Sequence, residues 1–366
     1  MPLKCLNGNE EVYAFNFSSD EDWEDLRKEN SKTKALRMPC CNALVTLRTS
    51  KLGTKHFAHA RIGSCTTAPE KAEHLLAKMA VVEAIKKTDW TPLPEQSGTS
   101  PSGEAWRADV LAIKGNTKIA IEIQWSRQDD AETERRQKRY AESGVRGLWL
   151  FKQKDFPVNR EIPAFRLDLD PVSKTFDVKL PSARYRTGLW KNNAEEYCWG
   201  QSIPLQAFVF GTLNKKLKFA PVLGKTIPLE VHAVTIDCWR CKKQTGIVMG
   251  LKFVVSRIFR GSSDIRFSIY DKLPSRDKEI MSILNPELLK THGIGTIKPR
   301  YSKMAGEKYL SNGCVHCDAL QGRFFEHEYW HSASKAFEID AEFKKEWATA
   351  LDEVSRWWFD ASNSFS

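Results

Sequence analysis

Two carboxylates, Asp109 and Glu122, are the residues best placed to do chemistry. Glu122 lies in Lys118–Ser126, where strand alternation puts Ile119, Ile121, Ile123 and Trp125 on one face and Ala120, Glu122, Gln124 and Ser126 on the other. On the preceding segment Arg107 and Asp109 share a face, and Gly115-Asn116 between the two is a hairpin signal. A hairpin with a connection of about three or four residues sets Asp109 beside Glu122. Two such carboxylates repel unless a proton or cation lies between them. Mg²⁺ takes oxygen ligands and commonly keeps its waters beside one or two carboxylates, which leaves positions for a phosphate. The chemistry this pair predicts is metal-assisted phosphodiester hydrolysis. The same pattern also suits two solvent-facing carboxylates on an amphipathic hairpin.

Cysteines carry a second kind of chemistry. Cys238-Trp239-Arg240-Cys241 and Cys314-Val315-His316-Cys317 are paired CxxC knuckles, the ligand set of a closed, structural Zn²⁺ site. Buried reduced thiols or a redox pair are the competing readings. The long stretch between the knuckles requires an inserted segment before the chain returns to the site. A looser N-terminal group, Cys40, Cys41, His56, His59 and Cys65, offers a second Zn²⁺ set in Cys40, Cys41, His59 and Cys65. Adjacent cysteines are awkward ligands, and His56 and His59 also read as flanking a buried Phe57.

The elements that must position these groups follow from periodicity. Leu75, Leu76, Met79, Val82 and Ile85 predict a helix from Pro69 to about Lys87, with Glu70, His74 and Lys78 recurring every four residues on another face. Thr91 to Gly103, rich in Pro, Gly, Ser and Thr, reads as a loop. Ala105–Lys114 and Lys118–Ser126 read as strands, Gln128–Ser143 as a polar helix ended by Gly144, and Val145–Lys152 as a further strand. Arg135, Arg136 and Arg139 crowd that helix as candidate phosphate contacts, and Lys298–Lys303 mixes basic and aromatic residues as single-strand binders do. Phe343, Trp347, Leu351, Val354 and Trp358 predict a C-terminal amphipathic helix.

The 366 residues exceed one typical domain, and 41% apolar content excludes disorder throughout. Fifty-six basic against 46 acidic side chains leave a charge of +10, which favours a polyanionic partner. No apolar run is long enough for a membrane helix, so no membrane partner is expected. Asn7, Glu10 and Glu11 interrupt any secretory leader, which predicts a cytoplasmic protein. A reducing compartment then favours metal binding or burial over disulfides for the nine cysteines.

Arg107-Ala108-Asp109-Val110-Leu111 followed by Ala120-Ile121-Glu122-Ile123-Gln124-Trp125-Ser126 resembles the nuclease segment of the competence protein CoiA-like family, which is similar to the PD-(D/E)xK nuclease superfamily. Pro69–Leu75 with Lys78 resembles that family's helix, in which Glu and His lie four residues apart; Arg136, Tyr140, Gly144 and Trp149 match its arginine–tyrosine helix and following strand. The resemblance spans about residues 25–155. It implies Mg²⁺ or Mn²⁺ held by Asp109 and Glu122 with the Ile123 carbonyl as third ligand, and catalytic roles for Glu70, His74 and Gln124. Gln124 stands where the superfamily has lysine, so a missing positive charge falls to Lys78, His74 or Arg107. The HFAH string ending at His59 matches the family's N-terminal segment, but Met38 stands where its first cysteine is expected.

The expected architecture is α/β: an N-terminal cysteine/histidine module (1–66), a PD-(D/E)xK-like nuclease core (67–180) and a C-terminal zinc-ribbon-like region (181–366) ending in the amphipathic helix. The expected function is metal-dependent DNA hydrolysis in DNA uptake, repair, recombination or defence, with strand preference open. The alternative is a non-catalytic, zinc-containing nucleic-acid-binding protein on a degenerate nuclease scaffold.

Overall fold

Apolar alternation between residues 91 and 181 builds the sheet that positions the candidate site. The computed structural model describes residues 2–61, 65, 70–181, 199–221, 223–258, 264–269, 274–323, 329–348 and 356–360. The chain divides into two compact units, Met1–Leu217 and Lys218–Asn363. Among the described residues, no helix is long and apolar enough to cross a membrane.

The first unit opens with strands β1 (Lys4–Asn7) and β2 (Glu10–Tyr13) and helix α1 (Asp20–Thr33). The Ser19 hydroxyl accepts the Asp22 N–H at 3.0 Å, and Asp20, Glu21 and Asp22 fill the first turn, so both cap and charge favour this helix start. Strand β3 (Leu36–Arg37) completes a small sheet with β1 and β2, and β4 (Val45–Thr49) pairs with β5 (Lys55–His59). Trp23 and Phe57 pack in this region with ring centroids 5.4 Å apart.

Helix α2 (Ala72–Lys86) buries Leu75, Val81, Val82 and Ile85. It starts later than expected, so Glu70 precedes its N-cap, Lys71. The segment expected as a loop instead forms β6 (Thr91–Pro94) and β7 (Ser97–Thr99). β6 is an edge strand, the place where Pro92 and Pro94 can be tolerated without breaking a ladder. The expected strand Ala105–Lys114 is split into β8 (Ala105–Arg107), paired with β7, and β9 (Val110–Lys114), paired with β10 (Thr117–Gln124). Helix α3 (Asp130–Glu142) is capped by Asp129, whose carboxylate accepts the Glu132 N–H at 2.7 Å; Gly144 beyond its end has φ +66°.

Strands β11 (Val145–Phe151), β12 (Ala164–Asp170), β13 (Thr175–Pro181) and β14 (Trp199–Pro204) complete a mixed seven-stranded sheet, β14-β13-β12-β11-β10-β9-β6. Its centre, β10-β11-β12, is parallel. Leu111, Ala120, Tyr140, Val145, Trp149 and Phe151 share one apolar cluster, so α3 covers the sheet face that carries Ala120. Helix α4 (Leu205–Leu213) packs against α2. Because β14 pairs with β13 and α4 rests on α2, the first unit runs to 217, past the boundary expected at 180/181.

Around the second unit's core run β15 (Leu217–Ala220), β16 (Thr226–Asp237), β17 (Gln244–Phe253), β18 (Ile265–Ser268), β19 (Ile297–Ser302), β20 (Glu307–Gly313), β21 (Leu320–Gln321), β22 (Ser334–Glu342) and β23 (Arg356–Phe359). They form the sheets β18-β17-β16-β22 and β19-β20-β21 and the pair β15-β23. Leu229, Val231, Leu251, Phe253, Phe267, Phe343 and Trp347 pack between them. The continuous C-terminal helix is not formed. Phe343 follows a strand, Trp347 sits in the short helix Lys345–Ala348, and Trp358 lies on β23, while Leu351 and Val354 fall outside the described residues. Phe343 and Trp347 lie 5.3 and 5.1 Å from the Phe253 ring, and a Trp-Trp-Phe run suits a strand.

On the polar side of this unit, Glu230 is buried among Lys252 at 2.7 Å, His232 at 3.2 Å, Arg257 at 3.5 Å and Lys335 at 3.6 Å. Burial alone would raise its pKa, but these partners hold it at about 2 against an ordinary 4.5. A carboxyl depressed in this way stabilises the fold fully above its unfolded value and loses that contribution as pH falls through the folded value. The stability difference between the native chain and Glu230→Gln should therefore be full near about pH 6 and shrink toward pH 2 in urea titrations. A difference independent of pH would contradict this.

Candidate functional site

The β9–β10 turn has two residues, Gly115 and Asn116, because Lys114 pairs with Thr117 and Val110 with Ile121. Continuing that register sets Asp109 opposite Glu122, but the two carboxylates turn to different helices. Asp109 Oδ2 accepts the Ile123 N–H at 2.9 Å and lies 3.3 Å from His74 Nε2 on α2. Glu122, 1% exposed, accepts hydrogen bonds from Tyr140 Oη and the Arg136 guanidinium on α3.

The groups that converge are Glu70, His74 and Asp109, with one potential ligand atom from each lying within 4.8 Å of the others. The expected set was Asp109 with Glu122 and the Ile123 carbonyl; the side chains that lie together are those of Asp109, His74 and Glu70. Asp109 is shared, Ile123 contributes its N–H, and Glu122 stands outside the cluster. The acids still sense each other: burial pushes Glu122 up to about 7, and the Asp109 charge adds to this against the pull of Arg136 and Tyr140. Burial would also raise Asp109, yet His74, Lys78 and the Ile123 N–H hold it below the usual carboxylate range. For His74, the bond to Asp109 and its charge outweigh burial and raise the ring's pKa.

Behind the cluster lies a charge network of which only part was anticipated. Lys78 is fully buried, with Nζ 2.9 Å from Glu70 and 2.6 Å from Glu95. Glu95 also accepts the Leu3 N–H at 2.9 Å, and its own N–H donates to the Asp109 carbonyl at 2.9 Å. Its φ of +53° lies in the left-handed region, which residues other than glycine adopt infrequently. No sequence pattern marks Glu95; its role depends on partners distant in the chain.

Gln124 donates to the Ser126 carbonyl at 3.0 Å rather than into the cluster. Of the basic candidates, Arg136 is committed to Glu122 and stacks over Trp149 at 5.0 Å, Arg139 pairs with Glu104 at 2.6 Å, and Arg135 pairs with Glu132 while staying exposed.

Residues 70–177 match the family model of the competence protein CoiA nuclease-like domain. This segment is CoiA-like. The match starts at Glu70 and takes in His74, Asp109, Glu122, Gln124 and Arg136, so the converging trio lies wholly inside the nuclease-like segment. Both cysteine groups lie outside it. No curated protein matches the chain.

Outside the CoiA-like segment, both cysteine groups close up. Cys238 and Cys317 sulfurs are 3.7 Å apart, as are those of Cys241 and Cys314. A tetrahedron with Zn–S bonds of about 2.3 Å has edges of about 3.8 Å, so the four thiols fit zinc. At the N-terminus, Cys40 Sγ lies 3.7 Å from Cys41, 3.6 Å from Cys65 and 3.6 Å from His59, again a tetrahedral set.

One turn recurs in all three knuckles. Cys238 N–H donates to Lys243 O and Lys242 N–H to Cys238 O; Cys314 with Ala319 and Asp318, and Met38 with Ala43 and Asn42, repeat the pattern, each bond 2.9 Å. Lys242, Asp318 and Asn42 all have positive φ. Met38 therefore takes the first cysteine's place in an intact turn, and Cys40, one residue before Cys41, supplies the missing thiol.

Protein purified without chelator should carry about one zinc per cluster by elemental analysis. Cys238→Ser/Cys241→Ser should remove one and destabilise the second unit, and Cys65→Ser should remove the other. Zinc-free protein would contradict both sites.

Proposed function

We propose that this chain is a divalent-metal-dependent nuclease that hydrolyses DNA phosphodiester bonds. The observation that carries the reading is the convergence of Glu70, His74 and Asp109 within a segment similar to a nuclease-like domain. Two carboxylates and an imidazole fit a divalent cation, and the imidazole favours Mn²⁺ over the harder Mg²⁺. When bound, the ion would polarise a phosphoryl oxygen and lower the pKa of a water.

The chain's own groups have separate tasks. Ile123 N–H and the Glu95 backbone fix Asp109 in place. Lys78 fixes Glu70, and it supplies the buried positive charge that Gln124 lacks. Gln124, with its amide at the end of β10, is the group to orient water by hydrogen bonding. The proposed contacts to the DNA backbone are the exposed Arg135 and Lys138 on α3, whose surface pairs with Glu132 and Glu142 can be exchanged for phosphates. DNA uptake, repair, recombination and defence all consume such an activity. The second reading, a DNA binder without catalysis, is favoured by one observation, the turning of the Gln124 amide to Ser126.

Asp109→Asn should lower Mn²⁺-dependent cleavage of linear or single-stranded DNA by at least about 100-fold. Glu70→Ala and His74→Ala should weaken Mn²⁺ binding, whereas Glu122→Ala should affect it less, because Glu122 is held by α3. Gln124→Lys should preserve or raise the rate. Equal cleavage by native and Asp109→Asn proteins of matched purity would move the activity elsewhere, and no cleavage by either would leave the binding reading.

A further inference from the structure

The basic residues that stand out in the sequence are largely answered by acids. Arg136 pairs with Glu122 and Arg139 with Glu104, while Lys298 and Arg300 both pair with Asp318. The first knuckle of the second unit is different. Arg240, Lys242 and Lys243 are all exposed, and no ion pair engages any of them among the described residues. They sit on a turn closed by the backbone bonds between Cys238 and Lys243 and between Lys242 and Cys238.

Trp239 stands beside them, 58% exposed. Its indole N–H donates to the Leu320 carbonyl on β21 at 2.8 Å. That bond satisfies the ring's one polar atom and fixes the ring while much of its surface stays in water. A large aromatic surface held rigid in this way loses little entropy when a flat partner stacks on it. Unpaired nucleobases offer such a partner, and the neighbouring cations match the phosphates that flank it. In a duplex the bases are already stacked on one another, so the platform selects single strands.

We propose that the Cys238–Lys243 knuckle binds single-stranded nucleic acid, with Trp239 stacking on a base and Arg240, Lys242 and Lys243 contacting adjacent phosphates. The site is independent of hydrolysis in the first unit, and binding is measured without added divalent cation.

The test is fluorescence anisotropy of the full chain with labelled single-stranded DNA of about 12 nucleotides and with the matching duplex, at several salt concentrations. Trp239→Ala should weaken single-strand binding about 10-fold with little change in salt slope, and Trp239→Phe should keep most of the affinity. Arg240→Ala/Lys242→Ala/Lys243→Ala should flatten the salt slope by about 2. Unchanged zinc content and melting temperature would show that the variants are folded. Native affinity in Trp239→Ala, an equal loss for duplex and single strand, or no binding by the native chain at low salt would each overturn the proposal. The last result would point to a protein partner for the exposed ring. Because binding is read without divalent cation, loss of single-strand affinity in Trp239→Ala together with no Mn²⁺-dependent cleavage by the native chain would support this site while contradicting the nuclease reading.

Discussion

An ammonium group with no exposed surface must have its charge answered inside the protein, or removal from water becomes prohibitive. Lys78 is answered twice, by Glu70 and Glu95, and that pairing organises the candidate site. Glu70 comes from the approach to α2 and Glu95 from the connection between β6 and β7; Glu95 in turn holds the backbone of Leu3 and of Asp109. One buried charge therefore links the N-terminal module, α2, the sheet edge and the hairpin. It also explains why an acidic residue with positive φ persists at position 95: the strained backbone is compensated by the ionic and hydrogen-bonding contacts made there.

The same network divides the two hairpin carboxylates. Asp109 is drawn toward His74 and depressed, while Glu122 lies deep under α3 with Tyr140 and Arg136 and is raised. Pairs of acids pushed in opposite directions are a common feature of functional sites, and here the cause is two different helices.

Much of this was legible in local patterns. The Gly115-Asn116 turn, the alternation of β10 and the Gly144 end of α3 are short-range signals that the structure carries, whereas the expected helical spacing of Glu70, His74 and Lys78 holds only for His74 and Lys78, because α2 starts at Ala72. What local patterns did not convey was the direction a side chain takes once several helices compete for it. Asp109 and Glu122 share a register but not a partner. The proline-rich 91–94 segment read as a loop because its edge position is a tertiary fact. The aromatic stripe at the C-terminus has helical spacing, yet Phe343, Trp347 and Trp358 satisfy it from a strand end, a short helix and a strand. The N-terminal cysteines were named from their clustering and from the HFAH resemblance, but the turn that lets Met38 replace a cysteine is visible only in the backbone hydrogen bonds.

The central claim is that Glu70, His74 and Asp109 form one cation site, with Glu122 held apart by α3. Crystals soaked in Mn²⁺ and measured at its absorption edge test it most directly. The account predicts an anomalous peak bounded by Glu70, His74 and Asp109, with Glu122 still bonded to Arg136 and Tyr140. A peak between Asp109 and Glu122 without His74, or no peak within the CoiA-like segment at saturating Mn²⁺, would contradict it.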